Sequence, residues 1–171
     1  SPDGATIACG VEGGAHLLRH DGSRWATVKE VTVGGMAKVL TFVDDATLIV
    51  GTDLGFLRSV HLPTGAEDVF TAETSGMDTR AHRVPVWGVA PLDGVLLSVG
   101  SLEAFDGRYS ELRAWDMSTR ALLWTLTRPR QLLQVAVSPD RRRLALSYGN
   151  HRTAEGKADD GPGLVEVWEH E

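Results

Sequence analysis

Only one cysteine, Cys9, occurs in 171 residues. A single thiol cannot close an internal disulfide, and the zinc and haem motifs that need paired cysteines are excluded with it. Cys9 is read as a small buried side chain in a strand, and a lone thiol favours a reducing, cytoplasmic setting. Long apolar runs are also missing: no stretch approaches the roughly 18 residues that suggest a membrane span. The chain opens on the turn sequence Ser1-Pro2-Asp3-Gly4 rather than on a basic segment followed by an apolar one, so no secretory leader is expected. Positive charge is in the minority, 17 Lys and Arg against 23 Asp and Glu, a net charge of −6. Phosphate contact usually needs a clustered basic surface. Neither nucleic acid nor membrane is expected as a partner.

Catalytic and metal-binding patterns are equally scarce. His16 and His20 are four apart, which would share a helix face, but they fall along a strand with no zincin-type Glu between them. Gly10-Val11-Glu12-Gly13-Gly14 lacks the Lys-Ser/Thr ending of a phosphate-cradling loop, and no helix follows it. No Gly-x-Ser-x-Gly elbow is present. Asp159-Asp160 reads as a solvated pair in a polar insertion, and Arg141-Arg142-Arg143 as a solvated turn without interleaved aromatics. No metal, no cofactor and no catalytic residue are expected.

Glycine, by contrast, is plentiful, at 19 residues, and points to many tight turns. A pattern of an apolar stretch, a turn built on Asp and a second apolar stretch ending in Gly occurs four times. Its marker residues are Asp3, Asp44, Asp93 and Asp140. The repeat length is that of a four-stranded propeller blade with insertions. Short apolar segments bounded by turn residues, such as Leu48-Ile49-Val50 and Leu96-Leu97-Ser98-Val99, read as strands. Helix is nearly absent. The expected strands lie near 5–10, 15–20 and 25–33; near 37–42, 46–51, 56–61 and 66–71; near 84–90, 95–100, 111–116 and 121–126; and near 131–137, 143–149 and 164–168. These make approximate repeats 1–35, 36–83, 84–130 and 131–171 of one all-β unit.

The third repeat resembles the WD-repeat family. Glu111-Leu112-Arg113-Ala114-Trp115-Asp116-Met117-Ser118-Thr119-Arg120 is similar to its strand ending in Trp-Asp, and His82 stands close to the family's His-to-turn spacing. The other repeats are degenerate. Trp168 is followed by Glu169, with Arg128 where His would be; Val60 and His61 take the Trp and Asp positions in the second repeat; Arg19 takes the Trp position in the first. The resemblance implies a β-propeller of four-stranded antiparallel blades. About four are present, part of a larger propeller or of one completed by a second copy. It also implies a structural network of His82, Asp106, Trp115 and Asp116 with a hydroxyl from Ser98 or Ser101, and with Trp168 as the counterpart in the last repeat.

Alternating strand direction puts the connections between strands one and two, and three and four, on one face of such an array. The longest connections, near 72–83, 101–110 and 150–163, all fall on the other face. Insertions gathered on one face of a repeat array often mark its binding face. Lys38, His82, Arg83, Arg130 and Gln131 lead into the innermost strands there, and Trp87 could line the channel mouth. The expectation is a non-catalytic scaffold that engages a protein or peptide through this face, with self-association as a further partner. The alternative is a propeller enzyme or ligand-binding propeller with a site at the central channel. That would need acidic, Asn or His side chains on the innermost strands, and 36–42 and 131–137 carry few.

Overall fold

The computed structural model describes residues 1–72, 79–101, 110–128, 130–149 and 163–169. Among them are fourteen strands and no helix. The first sheet holds β1 (Thr6–Val11), β2 (Gly14–His20) and β3 (Trp25–Thr32). The second holds β4 (Ala37–Phe42), β5 (Thr47–Thr52), β6 (Leu57–His61) and β7 (Ala66–Val69). The third holds β8 (Val86–Leu92), β9 (Val95–Ser101), β10 (Ser110–Asp116) and β11 (Leu122–Arg128). The fourth holds β12 (Leu132–Val137), β13 (Arg143–Tyr148) and β14 (Leu164–Glu169). Within each sheet the strands pair antiparallel with their neighbours in chain order.

The turns explain the hairpins. Between β8 and β9, Asp93 and Gly94 both take positive φ, 46° and 82°. Two such residues in sequence favour a turn whose twist matches the flanking strands. Asp3, Asp44 and Asp140 work differently: each carboxylate accepts a hydrogen bond from the amide two residues on, at Ala5, Ala46 and Arg142. Neighbouring turns are also tied together. Asp3 N donates to the Asp45 carboxylate at 2.8 Å, and Arg141 pairs with Asp93. The arginine turn is therefore partly neutralised by its neighbours.

The core consists of three junctions between successive sheets. Ala15, Leu17, Val31 and Val33 of the first sheet region meet Leu48, Val50 and Val60 of the second. Ile49, Leu57 and Phe70 meet Val86, Val89, Leu96 and Trp115. Ala90, Leu97, Val99, Leu112 and Ala114 meet Leu132, Val135, Leu146 and Tyr148. Period-two alternation lets each interior sheet bury both faces. In β10, for example, Leu112 and Ala114 face the fourth sheet while Trp115 faces the second. The innermost strands follow in series, β1 against β4, β4 against β8, and β8 against β12. The result is a β-propeller of antiparallel blades whose four sheets form an arc that does not close. Among the described residues, nothing packs on two sheet faces, one at each end of the arc.

Cys9 corrects the reading of a buried thiol. It lies in β1 but is exposed, because Ala8 turns to the second sheet and its neighbour Cys9 therefore turns to the uncovered face.

Candidate functional site

Strand direction gives the arc two unlike ends. At one end the connections are tight: 93–94 between β8 and β9, 43–46 between β4 and β5, 62–65 between β6 and β7, and 117–121 between β10 and β11. The other end carries 70–85 between β7 and β8, 102–109 between β9 and β10, and 149–163 between β13 and β14. Most of these longer stretches, and Asp106 with them, lie outside the described residues.

The long-connection end is also where the innermost strands begin. Lys38 is the second residue of β4, Trp87 the second of β8, and Gln131 immediately precedes β12. Lys38 and Trp87 come together, with the ammonium 5.6 Å from the ring centroid, in cation–π range. The indole nitrogen of Trp87 donates to the Ser101 carbonyl at 2.9 Å, which fixes the ring across the sheet. The Gly149 amide donates to the Gln131 carbonyl at 2.9 Å, closing the end of the fourth sheet. The Gln131 side-chain nitrogen is buried and has no hydrogen-bond partner among the described residues. Arg83 is exposed and Arg130 half-buried at the same end.

His82 does not belong to that surface. It is 1% exposed, and its Nε2 lies 2.7 Å from Ser98 Oγ. The same hydroxyl accepts a hydrogen bond from Trp115 Nε1 at 2.8 Å. Its own proton can then point to Nε2, so one serine joins strands β9 and β10 to the segment that precedes β8. His82 is held from the second sheet as well. Its amide donates to the Gly55 carbonyl at 3.1 Å, and Gly55, at φ +85°, leaves no room for a β-carbon beside the His82 carbonyl. Gly100 leaves similar room on the other side: a β-carbon there would sit 2.3 Å from Nδ1. Burial pushes the imidazole pKa below its usual value of 6.5. The Glu111 carboxylate, 3.6 Å from Nδ1, pulls the other way but is outweighed. A neutral, buried, hydrogen-bonded histidine braces the third sheet, and a partner cannot touch it without unfolding that region.

The remaining expected network residues sit elsewhere. Asp116 is outside the buried set and shapes the turn: its carboxylate accepts from Ser118 N and Oγ at 2.8 and 2.6 Å and from Thr119 N at 2.8 Å. These bonds lower its pKa to about 2, the Ser118 hydroxyl most of all. Trp168, in the fourth sheet, packs beside the Leu132–Tyr148 cluster under the Arg128 guanidinium, 5.4 Å from the ring centroid. Tyr148 Oη donates to Glu166 at 2.5 Å, with Arg128 3.7 Å from the same carboxylate. Counting from the tryptophan, Leu146 stands where the third sheet has Ser98, and Tyr148 where it has Gly100.

In the first sheet, Arg19 pairs with Thr6, three residues after Asp3, as Trp115 pairs with Leu96, three residues after Asp93. Asp21 accepts from Ser23 N and Oγ at 2.9 and 2.8 Å and from Arg24 N at 3.0 Å, the same pattern as Asp116. The residue before this Asp is His20, on the opposite face of β2 from Arg19. Arg19 donates from Nε to Thr6 Oγ1 at 3.1 Å, on the face toward the second sheet. The signal for the turn was present in the sequence: Asp21-Gly22-Ser23 repeats the Asp-x-Ser spacing of Asp116-Met117-Ser118.

No group of three or more His, Cys, Asp or Glu residues positioned to hold a metal occurs among the described residues. No helix among them is long and apolar enough to cross a membrane.

No protein-family profile matches the chain. No curated protein matches it in sequence. Solved structures do match it in shape. The WD40 β-propeller domain of Doa1 superposes with a TM-score of 0.69 at 17% identity, covering 100% of this chain and 49% of that one. A chain of the mitotic checkpoint complex gives 0.70 at 13% identity, over 97% of this chain and 47% of its own length. The computationally designed Ika4 protein gives 0.62 at 16% identity, over 96% of this chain and 84% of its own. The chain thus spans about half the length of the WD40 neighbours. At these identities the likeness carries the fold, and the fold is that of a β-propeller similar to WD40 propellers.

Proposed function

We propose that this chain is a non-catalytic scaffold whose long-connection end engages a protein or peptide. The observation that carries the reading is the division between the two ends of the arc. One end is closed by tight, mutually bonded turns. The other carries the longest connections, 70–85, 102–109 and 149–163, on the side where β4, β8 and β12 begin. Lys38, Trp87, Arg83, Arg130 and Gln131 supply the contacts, with the Lys38–Trp87 pair as a partly ordered anchor. His82 is removed from this set by its burial. A rigid sheet platform presents these groups without having to fold on binding, which lowers the entropy cost of association. The setting proposed is cytoplasmic, where the exposed Cys9 stays reduced. Self-association that completes the ring is the second partner in this reading.

Proximity cross-linking followed by mass spectrometry tests the assignment, comparing the parent with a Lys38→Glu, Arg130→Glu double variant and with Arg142→Glu at the tight-turn end. The expected result is a partner set lost from the double variant and retained by Arg142→Glu. Retention in the double variant, or equal loss from both, defeats the reading.

A further inference from the structure

The three junctions of the arc are not closed alike at the tight-turn end. Between the second and third sheets, Arg120 reaches the Asp68 carboxylate at 2.7 Å and lies over the Phe70 ring, 5.3 Å from its centroid. Between the third and fourth, a groove of about 240 Å³ remains, but two of its three arginines, Arg141 and Arg143, are paired with Asp93 and Asp140. The first junction has no such tie. Arg19 stands on the first-sheet wall and Asp45 on the second-sheet wall, and among the described residues neither forms an ion pair. A groove of about 400 Å³ is left between the two sheets. Both walls belong to this chain, and every residue lining the groove is described.

The lining combines apolar surface with two cations. Leu17 is buried at its base, and Leu62 and Pro63 of the turn after β6 form the far side. A β-bulge adds to the near side. Leu17 pairs with Lys29 and Leu18 with Thr27, so Val28 is the extra residue of β3. Adjacent strand residues ordinarily point to opposite faces, but the bulge breaks that alternation, and Val28 and Lys29 both line the groove. The cations are positioned by neutral partners: Arg19 Nε donates to the Thr6 hydroxyl, and Lys29 Nζ donates to the Leu62 carbonyl. Such partners fix the side chains and leave their charge uncompensated. Two positive charges against the single carboxylate of Asp45, over apolar walls, match an anion that carries one charge and a hydrocarbon body.

We infer that the groove between the first and second sheets binds a small organic monocarboxylate, with its carboxylate taken by Arg19 and Lys29 and its hydrocarbon body against Leu17, Val28, Leu62 and Pro63. The volume falls within the range of small-molecule sites, roughly 300–1,000 Å³. Asp45 repels a second negative charge, so a dicarboxylate of the same length binds more weakly. The site lies at the opposite end of the arc from the partner surface proposed above and does not depend on it.

Titration of hexanoate into the chain with labelled, assigned methyl groups, followed by nuclear magnetic resonance, tests the site; hexanol and adipate serve as the uncharged and doubly charged comparisons. Hexanoate should shift the methyl signals of Leu17, Val28 and Leu62 to saturation, with both comparisons binding about ten-fold more weakly. Arg19→Gln and Lys29→Met should each weaken hexanoate binding by about ten-fold, the scale of one hydrogen bond to a charged group. Asp45→Asn keeps an acceptor for the Asp3 amide and should strengthen binding. Loss in the first two variants with gain in the third cannot arise from a weakened fold. The absence of saturable shifts at these methyls overturns the inference, as does equal binding of hexanoate and hexanol. Shifts confined to the exposed Ile7, Val165 and Val167 also overturn it, because they place the probe on the end faces. Hexanoate binding that none of the three substitutions changes overturns it as well.

Discussion

Asp116 and Asp21 make the same turn at the ends of β10 and β2, yet the residues before them live in opposite surroundings. Trp115 is fully buried, bonded to Ser98 and packed against Phe70 of the second sheet with ring centroids 5.9 Å apart. His20 is exposed on a face that no other sheet of this chain covers. The comparison separates two kinds of specification. The turn is local: a carboxylate, a serine two residues on and the backbone between them suffice. The buried network is not. It needs the segment before β8, the Gly55 carbonyl of the second sheet and a neighbouring sheet to exclude water.

The sharpest way to break the comparison is truncation of these two residues. Trp115→Ala should cost about 3–5 kcal/mol, the range for a large buried aromatic. His20→Ala should change stability by about 0.5 kcal/mol or less, as for ordinary surface sites. Urea unfolding followed by tryptophan fluorescence measures both. Equal losses would mean that the first sheet is covered in solution by something the arc alone does not provide.

Gly100→Ala tests the room left for the histidine. A β-carbon pressed on the imidazole should destabilise the chain by about 1–3 kcal/mol, as overpacking does. By contrast, Gly13→Ala meets no neighbouring atom and strains only a turn, at φ +85°. The first should therefore cost more in the same unfolding assay.

The pH dependence of stability separates the two elements of the third sheet. His82 has its pKa lowered by burial, so between 6.5 and its lower folded value the unfolded chain binds more protons. Its contribution is complete above pH 6.5 and is lost as the pH falls below that. His82→Gln should flatten this part of the profile. Asp116, lowered from 3.8 to about 2, acts in a lower window: its contribution is present above pH 3.8 and disappears as the pH falls toward 2. Asp116→Asn should remove that slope, the smallest of these effects, because the turn is open to water. Asp21→Asn should act in the same direction, since its carboxylate is lowered by the same kind of bonds.

Much of this architecture was legible in order along the chain. Fourteen segments with turn residues between them read as strands, and each turn carries its reason in its own residues, as at Asp93-Gly94 and Asp140. The failures share a cause. Cys9 was read as buried because apolar neighbours in a strand suggest burial, although only half of a strand faces any given neighbour. His82 stood both for a surface contact and for a network. Its burial depends on Gly55 and Gly100, which are far from it in sequence and near in space.

The sequence by itself determined strands, turns and the repeat, because these rest on contacts a few residues apart and on an alternation with a period of two. Tertiary structure alone decided which face of each strand is covered and which histidine is neutral and buried. Those properties depend on what the next sheet brings. Among the described residues nothing packs on the two end faces of the arc, and Ile7, Trp25, Val165 and Val167 stand exposed there.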